Sequence, residues 1–133
     1  MHATIDVERT LTELDFARLK KLCGGHLPAE IAAVFEFADL VPSTDIAPDI
    51  VTMNSQVEIV DSNSGYRQKL TLCYPSDAQP NLGLISVLSP VGTSLLGLRA
   101  GSTARWQTPH GEPCAAELAA ILFQPEASGD YTT

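Results

Sequence analysis

Ile85-Ser86-Val87-Leu88-Ser89-Pro90-Val91-Gly92-Thr93-Ser94-Leu95-Leu96-Gly97-Leu98 passes from strand to helix within a few residues. Ile85 and Val87 have the spacing of a strand. Ser89 can then cap a helix, because its hydroxyl can accept a hydrogen bond from a free backbone N–H of the first turn. Pro90 suits the first helical position, where its missing N–H costs nothing. The helix is expected to run to about Leu98, and Gly101 to reverse the chain. Ala104 to Gln107, around Trp106, then reads as another strand. Strands on both sides of one short helix describe an α+β sheet domain. Leu95, Leu96 and Leu98 belong to its core on at least one side, and an exposed one beside Val91 would form an apolar patch.

On the N-terminal side, Val57 and Ile59 alternate with Gln56 and Glu58, and Leu70, Leu72 and Tyr74 alternate with Thr71 and Cys73. Asp61-Ser62-Asn63-Ser64-Gly65 between them is a turn cluster, so the two runs form a hairpin with one buried face. On the C-terminal side, Ala115 to Phe123 is rich in Ala, Glu and Leu, and propensity alone favours helix. Leu118, Ile121 and Leu122 also have helical spacing. The sheet nevertheless needs a closing strand, and the family resemblance described below also implies strand, which is the expectation adopted.

Val41-Pro42-Ser43-Thr44-Asp45-Ile46-Ala47-Pro48 marks a boundary, since two prolines with Ser, Thr and Asp between them stop a helix and suit a linker. Before it, two helices are predicted. Thr10 with Glu13 fits a capping box, Leu11, Leu14, Leu19 and Leu22 give an apolar face, and Gly24-Gly25 is a stop. Pro28 opens the second helix, followed by Ile31, Val34, Phe35 and Ala38 at helical spacing. The short link through Gly24, Gly25 and His26 makes the pair an antiparallel hairpin. Arms of about 13 residues would reach about 20 Å. The expected division is residues 1–48, hairpin and linker, and residues 49–133, the sheet domain. The two prolines leave the orientation of the hairpin open.

The chain has 133 residues, 44% hydrophobic and 18% charged, within the globular range. No apolar run approaches the roughly 20 residues of a membrane span, and the N-terminus lacks the pattern of a secretion signal. Three widely spaced cysteines, Cys23, Cys73 and Cys114, do not form a disulfide framework. A cytoplasmic protein is expected. The net charge is −8, and residues 1–48 and 49–133 each carry four basic and eight acidic side chains. Without a basic cluster, direct nucleic-acid binding has little electrostatic support.

Three segments resemble one family. Ile50-Val51-Thr52-Met53-Asn54-Ser55 is similar to the start of the C-terminal domain of the Rnk family. Residues 85–98 resemble the Ser-Pro loop and short helix shared by Rnk and the Gre transcription factors. Gln124-Pro125-Glu126-Ala127-Ser128-Gly129-Asp130-Tyr131 is close to the Rnk tail, and Thr108-Pro109-His110-Gly111 looks like a Gre turn. Gly101-Ser102 departs from the Gly-Asp often found there and removes a charge near the turn. The resemblance covers residues 49–133, while over residues 1–48 only the hairpin plan and the length match. It implies an FKBP-like α+β domain that docks on the coiled coil at the rim of the RNA polymerase secondary channel, with the hairpin pointing into the channel. The docking loop would fall on Ser89 and Pro90, flanked by Leu88 and Val91.

Transcript-cleavage stimulation by Gre factors places acidic residues at the hairpin tip to help hold a second Mg²⁺, for which carboxylate oxygens are the right ligands. Here the tip, Cys23 to Pro28, contains no acid. Glu30 stands alone nearby, and its plain role is to complement the helix dipole. Cys23 and His26 form a Cys-x-x-His pair, but a zinc site would need ligands from distant elements. Prolyl-isomerase activity would need a pocket walled by aromatics, which are 6% of this chain. Ser89 lacks a nucleophile-elbow context, and His110 has no assignable partner. No catalytic residue, metal or cofactor is therefore expected. The expected function is non-enzymatic binding to RNA polymerase in competition with Gre-type factors. The alternatives are cleavage stimulation or isomerase-like activity, and an effect on nucleoside diphosphate kinase levels for which the residues offer no mechanism beyond transcription.

Overall fold

A computed structural model describes residues 9–24 and 28–131. The chain opens with β1 (Thr10–Thr12), α1 (Glu13–Leu22), α2 (Ala29–Phe37) and β2 (Asp39–Val41). β3 (Gln56–Asp61), β4 (Arg67–Cys73), β5 (Leu84–Ser86), α3 (Pro90–Leu95), β6 (Thr103–Gln107) and β7 (Pro113–Phe123) follow. The fold is α+β. Five strands form one sheet in the order β5-β4-β3-β7-β6, while β1 and β2 pair in parallel as a separate two-stranded ladder. All pairings in the large sheet are antiparallel except β4 with β5.

The β3–β4 hairpin turns where expected. Asp61 Oδ1 accepts from the amides of Asn63 and Ser64, and Gly65 takes φ +75°. The segment with helical composition, Ala115 to Phe123, is strand. Ala116 and Leu118 are buried while Glu117 and Ala119 face solvent. Val57 pairs with Ile121 and Ile59 with Leu118, so the register slips once between Glu58 and Ile59 and again between Gln56 and Val57. These bulges re-phase the strand, and Ile121, three residues after Leu118, returns to the core. The helical-looking spacing is produced by a bulge.

The N-terminal segment corrects three expectations. Thr12, not Thr10, caps α1, with its hydroxyl accepting from the Asp15 amide at 3.0 Å, while Thr10 begins a strand. Pro28 stands just before α2 rather than in its first turn. The helices have 10 and 9 residues, so each spans about 15 Å rather than 20 Å. The proline-rich stretch 41–48 contributes the end of β2 and a single 3-10 turn, Ser43–Asp45.

Leu11, Leu19, Ile31, Val34 and Phe35 lie in the same hydrophobic cluster as Val57, Leu70, Leu72, Leu95, Leu98 and Leu118. The Phe16 and Phe35 rings meet 4.8 Å apart and tie α1 to α2. The orientation that the prolines leave open is thus set by burial, with the helical pair seated on the sheet domain. Leu95, Leu96 and Leu98 are all fully buried, so none supplies an exposed patch beside Val91.

Candidate functional site

The loop from β5 into α3 has its shape fixed by hydrogen bonds to its own backbone. Ser89 Oγ donates to the Ser86 carbonyl at 2.6 Å and accepts from the Gly92 amide at 3.1 Å. The Ser89 amide also donates to Ser86 O, and the Leu88 amide to Ser86 Oγ. Thr93 Oγ1 donates to the Val87 carbonyl at 2.7 Å. Gly92 passes so close to Ser86 that a Cβ would overlap the carbonyl group. The result is a one-turn knuckle on which Pro90 is exposed, while Leu88 and Val91 are half-buried and pack on the core. Of the four loop residues singled out in the sequence, Pro90 is the most open, and the Ser89 hydroxyl is committed to holding the turn.

The other end of α3 is capped from the far N-terminus. Arg9 donates from Nη1 to the carbonyls of Thr93, Ser94 and Leu96, at 3.2, 3.2 and 2.8 Å. Burial brings its pKa down to about 10. Next to it, the Thr10 amide donates to Gly97 O.

The three segments that carry the family resemblance meet in space. Residues 50–55 lie beside α3, with the Val51 amide donating to Leu98 O and the Gly97 amide to Val51 O, each at 2.9 Å. The tail closes over residues 50–55. Gln124 Nε2 donates to the carbonyls of Ala47 and Ile50, both at 2.8 Å, and Thr52 Oγ1 donates to Glu126 Oε1 at 2.7 Å. Asp15 of α1 completes the junction, its Oδ2 accepting from the Met53 amide at 3.1 Å. Burial raises the Asp15 pKa to about 6, and the charge of Glu126 adds to this, against the hydrogen bonds from Met53 and Thr12 and the charge of Arg18. Tyr74, beside the same group, is raised by burial and by the Asp15 charge. Asp15, Thr52 and Glu126 at this junction, and Arg9 at the end of α3, were not singled out in the sequence, since their partners are far apart along the chain. Thr52 and Glu126 lie within segments that carry the resemblance, and the signal for Asp15 was the Thr12-x-x-Asp15 spacing.

Of the hairpin tip, Gly24 is described, at φ +60° after the helix end, while Gly25 and His26 lie outside the described residues. Cys73 is buried in β4 and directs Sγ to the Ile85 carbonyl, and Cys114 lies in β7. Among the described residues, no three His, Cys, Asp or Glu side chains are grouped to hold a metal ion. No helix among them is long and apolar enough to cross a membrane.

Residues 46–122 match the family model described as transcription elongation factor GreA/GreB, C-terminal. The chain is 36% identical over 99 residues to the "Regulator of nucleoside diphosphate kinase" of Escherichia coli, covering 74% of this chain and 73% of that protein. It is 40% identical over 81 residues to transcription elongation factor GreA of Solidesulfovibrio magneticus, of which it spans about half, 49%. The solved structure of a prokaryotic transcription elongation factor GreA/GreB from Nitrosomonas europaea superposes with a TM-score of 0.71 at 31% identity. That match covers 87% of this chain and 98% of the other. A GreA factor homologue (Gfh1) from Thermus thermophilus, at 21% identity and a TM-score of 0.51, shares the fold. With the family match running over more than half of its residues and the Ser-Pro knuckle inside it, this chain belongs to the GreA/GreB transcription-factor family and is a homologue of Rnk.

Proposed function

We propose that the protein is a non-enzymatic regulator that binds RNA polymerase at the rim of the secondary channel and competes there with Gre-type elongation factors. The sheet domain, residues 49–133, carries the docking surface. Residues 1–48 are the appended helical hairpin and its linker, and the protein works in the cytoplasm. The docking residues are Leu88, Ser89, Pro90 and Val91, and the partner surface is the coiled coil at the channel rim. The observation that carries this reading is the Ser89–Pro90 knuckle in a chain of the GreA/GreB family: the Ser89 hydroxyl is used to hold its shape, and Pro90 projects to solvent.

The arm separates this function from transcript cleavage. Helices of 10 and 9 residues reach about 15 Å, and Cys23 to Pro28 contains no carboxylate to hold Mg²⁺. The protein therefore occupies the rim without supplying cleavage chemistry. The test is binding to core polymerase by wild type and Pro90→Glu. Ser89 is unsuitable for it, because replacing the cap would unfold the knuckle as well. Loss of at least about tenfold in affinity for Pro90→Glu, with unchanged stability, supports the docking loop; equal affinity removes it. In stalled elongation complexes, the protein should lower GreA-stimulated cleavage and stimulate none alone.

A further inference from the structure

Arg9 lies outside the family match at 46–122, yet its guanidinium is spent on α3. A half-buried guanidinium is retained where its hydrogen bonds replace the water it loses. Arg9 Nη1 bonds three backbone carbonyls. They belong to the end of a six-residue helix, where carbonyls lack intrahelical partners and the helix dipole is negative. A helix this short does not persist on its own backbone bonds. Ser89 secures its first turn and Arg9 its last.

The approach is close all along this contact. Gly97 has φ +81°, and a Cβ there would meet Thr10 O at 3.0 Å, the Leu11 side chain at 3.1 Å and Arg9 Cβ at 3.3 Å. The Arg9–Leu11 backbone therefore lies directly against the end of α3. Leu11 is itself buried in the common core. β1 then runs without a break into α1.

We propose that Arg9 is a positioning residue for the docking loop: by holding the C-terminal carbonyls of α3, it sets the pose in which Leu88, Ser89, Pro90 and Val91 meet the polymerase. This rests on the docking reading given above. It also makes the N-terminal strand the element through which the helical arm and the docking loop act on one another.

The test compares Arg9→Met and Arg9→Lys with wild type and with Pro90→Glu, in the full chain. Two quantities are read: amide hydrogen exchange across the protein, and affinity for core polymerase. In Arg9→Met, the Thr93 and Leu96 amides, which bond within α3, exchange at least about tenfold faster, while Val57 and Leu118 in the sheet are unchanged; polymerase affinity falls about tenfold, as loss of charged hydrogen bonds implies. Lys restores the charge, but its ammonium ends a stem of different shape and does not reproduce the Nη1 position, so Arg9→Lys falls between the two. Unchanged exchange in α3 overturns the inference. So does accelerated exchange with wild-type affinity, provided that Pro90→Glu binds weakly. If Pro90→Glu binds like wild type, the docking reading itself fails and takes this inference with it, a pattern distinct from the other two. Should Arg9→Met not fold, Arg9→Lys decides by the same measurements.

Discussion

Gly92 and Asp15 show how single atoms fix the shape of this molecule. Gly92 has an ordinary helical place, but the Ser86 carbonyl occupies the space where its Cβ would be. The neighbour is backbone and cannot rotate away. Gly92→Ala is therefore expected to cost about 2–3 kcal/mol in urea unfolding, as overpacking in a tight core does, instead of gaining helix propensity. Asp15 is 1% exposed, and burial lifts its pKa from 3.8 to about 6. In the unfolded chain it ionises near 4, so between about pH 4 and pH 6 the folded state holds the extra proton. Its contribution is complete below about pH 4 and is lost as the pH rises through about 6. The loss amounts to about 3 kcal/mol, because each pH unit separating the folded and unfolded ionisations is worth about 1.4 kcal/mol. Asp15→Asn keeps an acceptor for the Met53 amide and removes the ionisation. Its stability should be flatter than wild type from about pH 4 to 7 in denaturant titrations, and a profile that still falls like wild type would count against this account.

At the scale of elements, periodicity was a sound guide where one rule acted and misleading where two overlapped. The β3–β4 hairpin, the strand around Trp106 and the Ser89-capped helix were all legible, because burial on one face and a local cap each leave a short-range mark. The helix ended at Leu95 rather than near Leu98, since Gly97 and Leu98 are drawn inward to pair with Val51. Thr10 and Thr12 both precede an acid by three residues. The sequence cannot rank the two caps, and pairing of Thr10–Thr12 with β2 decides between them. In β7 the bulges imitate a helix, and only the neighbouring strand reveals the period of two beneath. The candidate loop was legible as a motif, but the partners of the Ser89 hydroxyl were not, nor was the tail's part. Gln124 bonds two carbonyls, of Ala47 and Ile50, more than seventy residues away. Gln124→Ala leaves both without that donor, and a loss of about 1–3 kcal/mol is expected, with faster exchange in residues 50–55 as the local sign.

For the whole molecule, the shared core has a thermodynamic consequence. Leu19, Ile31 and Phe35 bury against residues of the sheet domain, so the helical pair has few apolar contacts to lose on its own account. Unfolding should be one transition. Helical circular dichroism and the fluorescence of Trp106 are expected to change together in urea, with the same midpoint. An earlier loss of helix would mean that the arm unfolds as a separate unit. The net charge of −8, divided evenly along the chain, adds a modest repulsion that salt should relieve.

The small parallel ladder of β1 and β2 brings Thr10–Thr12 and Asp39–Val41 side by side, one foot at each end of the helical pair. With its feet clamped together, the arm is a loop whose closure is already made at the base. A flexible insertion between α1 and α2 would add little closure cost, since each doubling of a flexible closed loop adds only about 0.6 kcal/mol. Length between the two helices is thus an adjustable dimension of this architecture: residues can be added there without any rebuilding of the base or of the body beneath it.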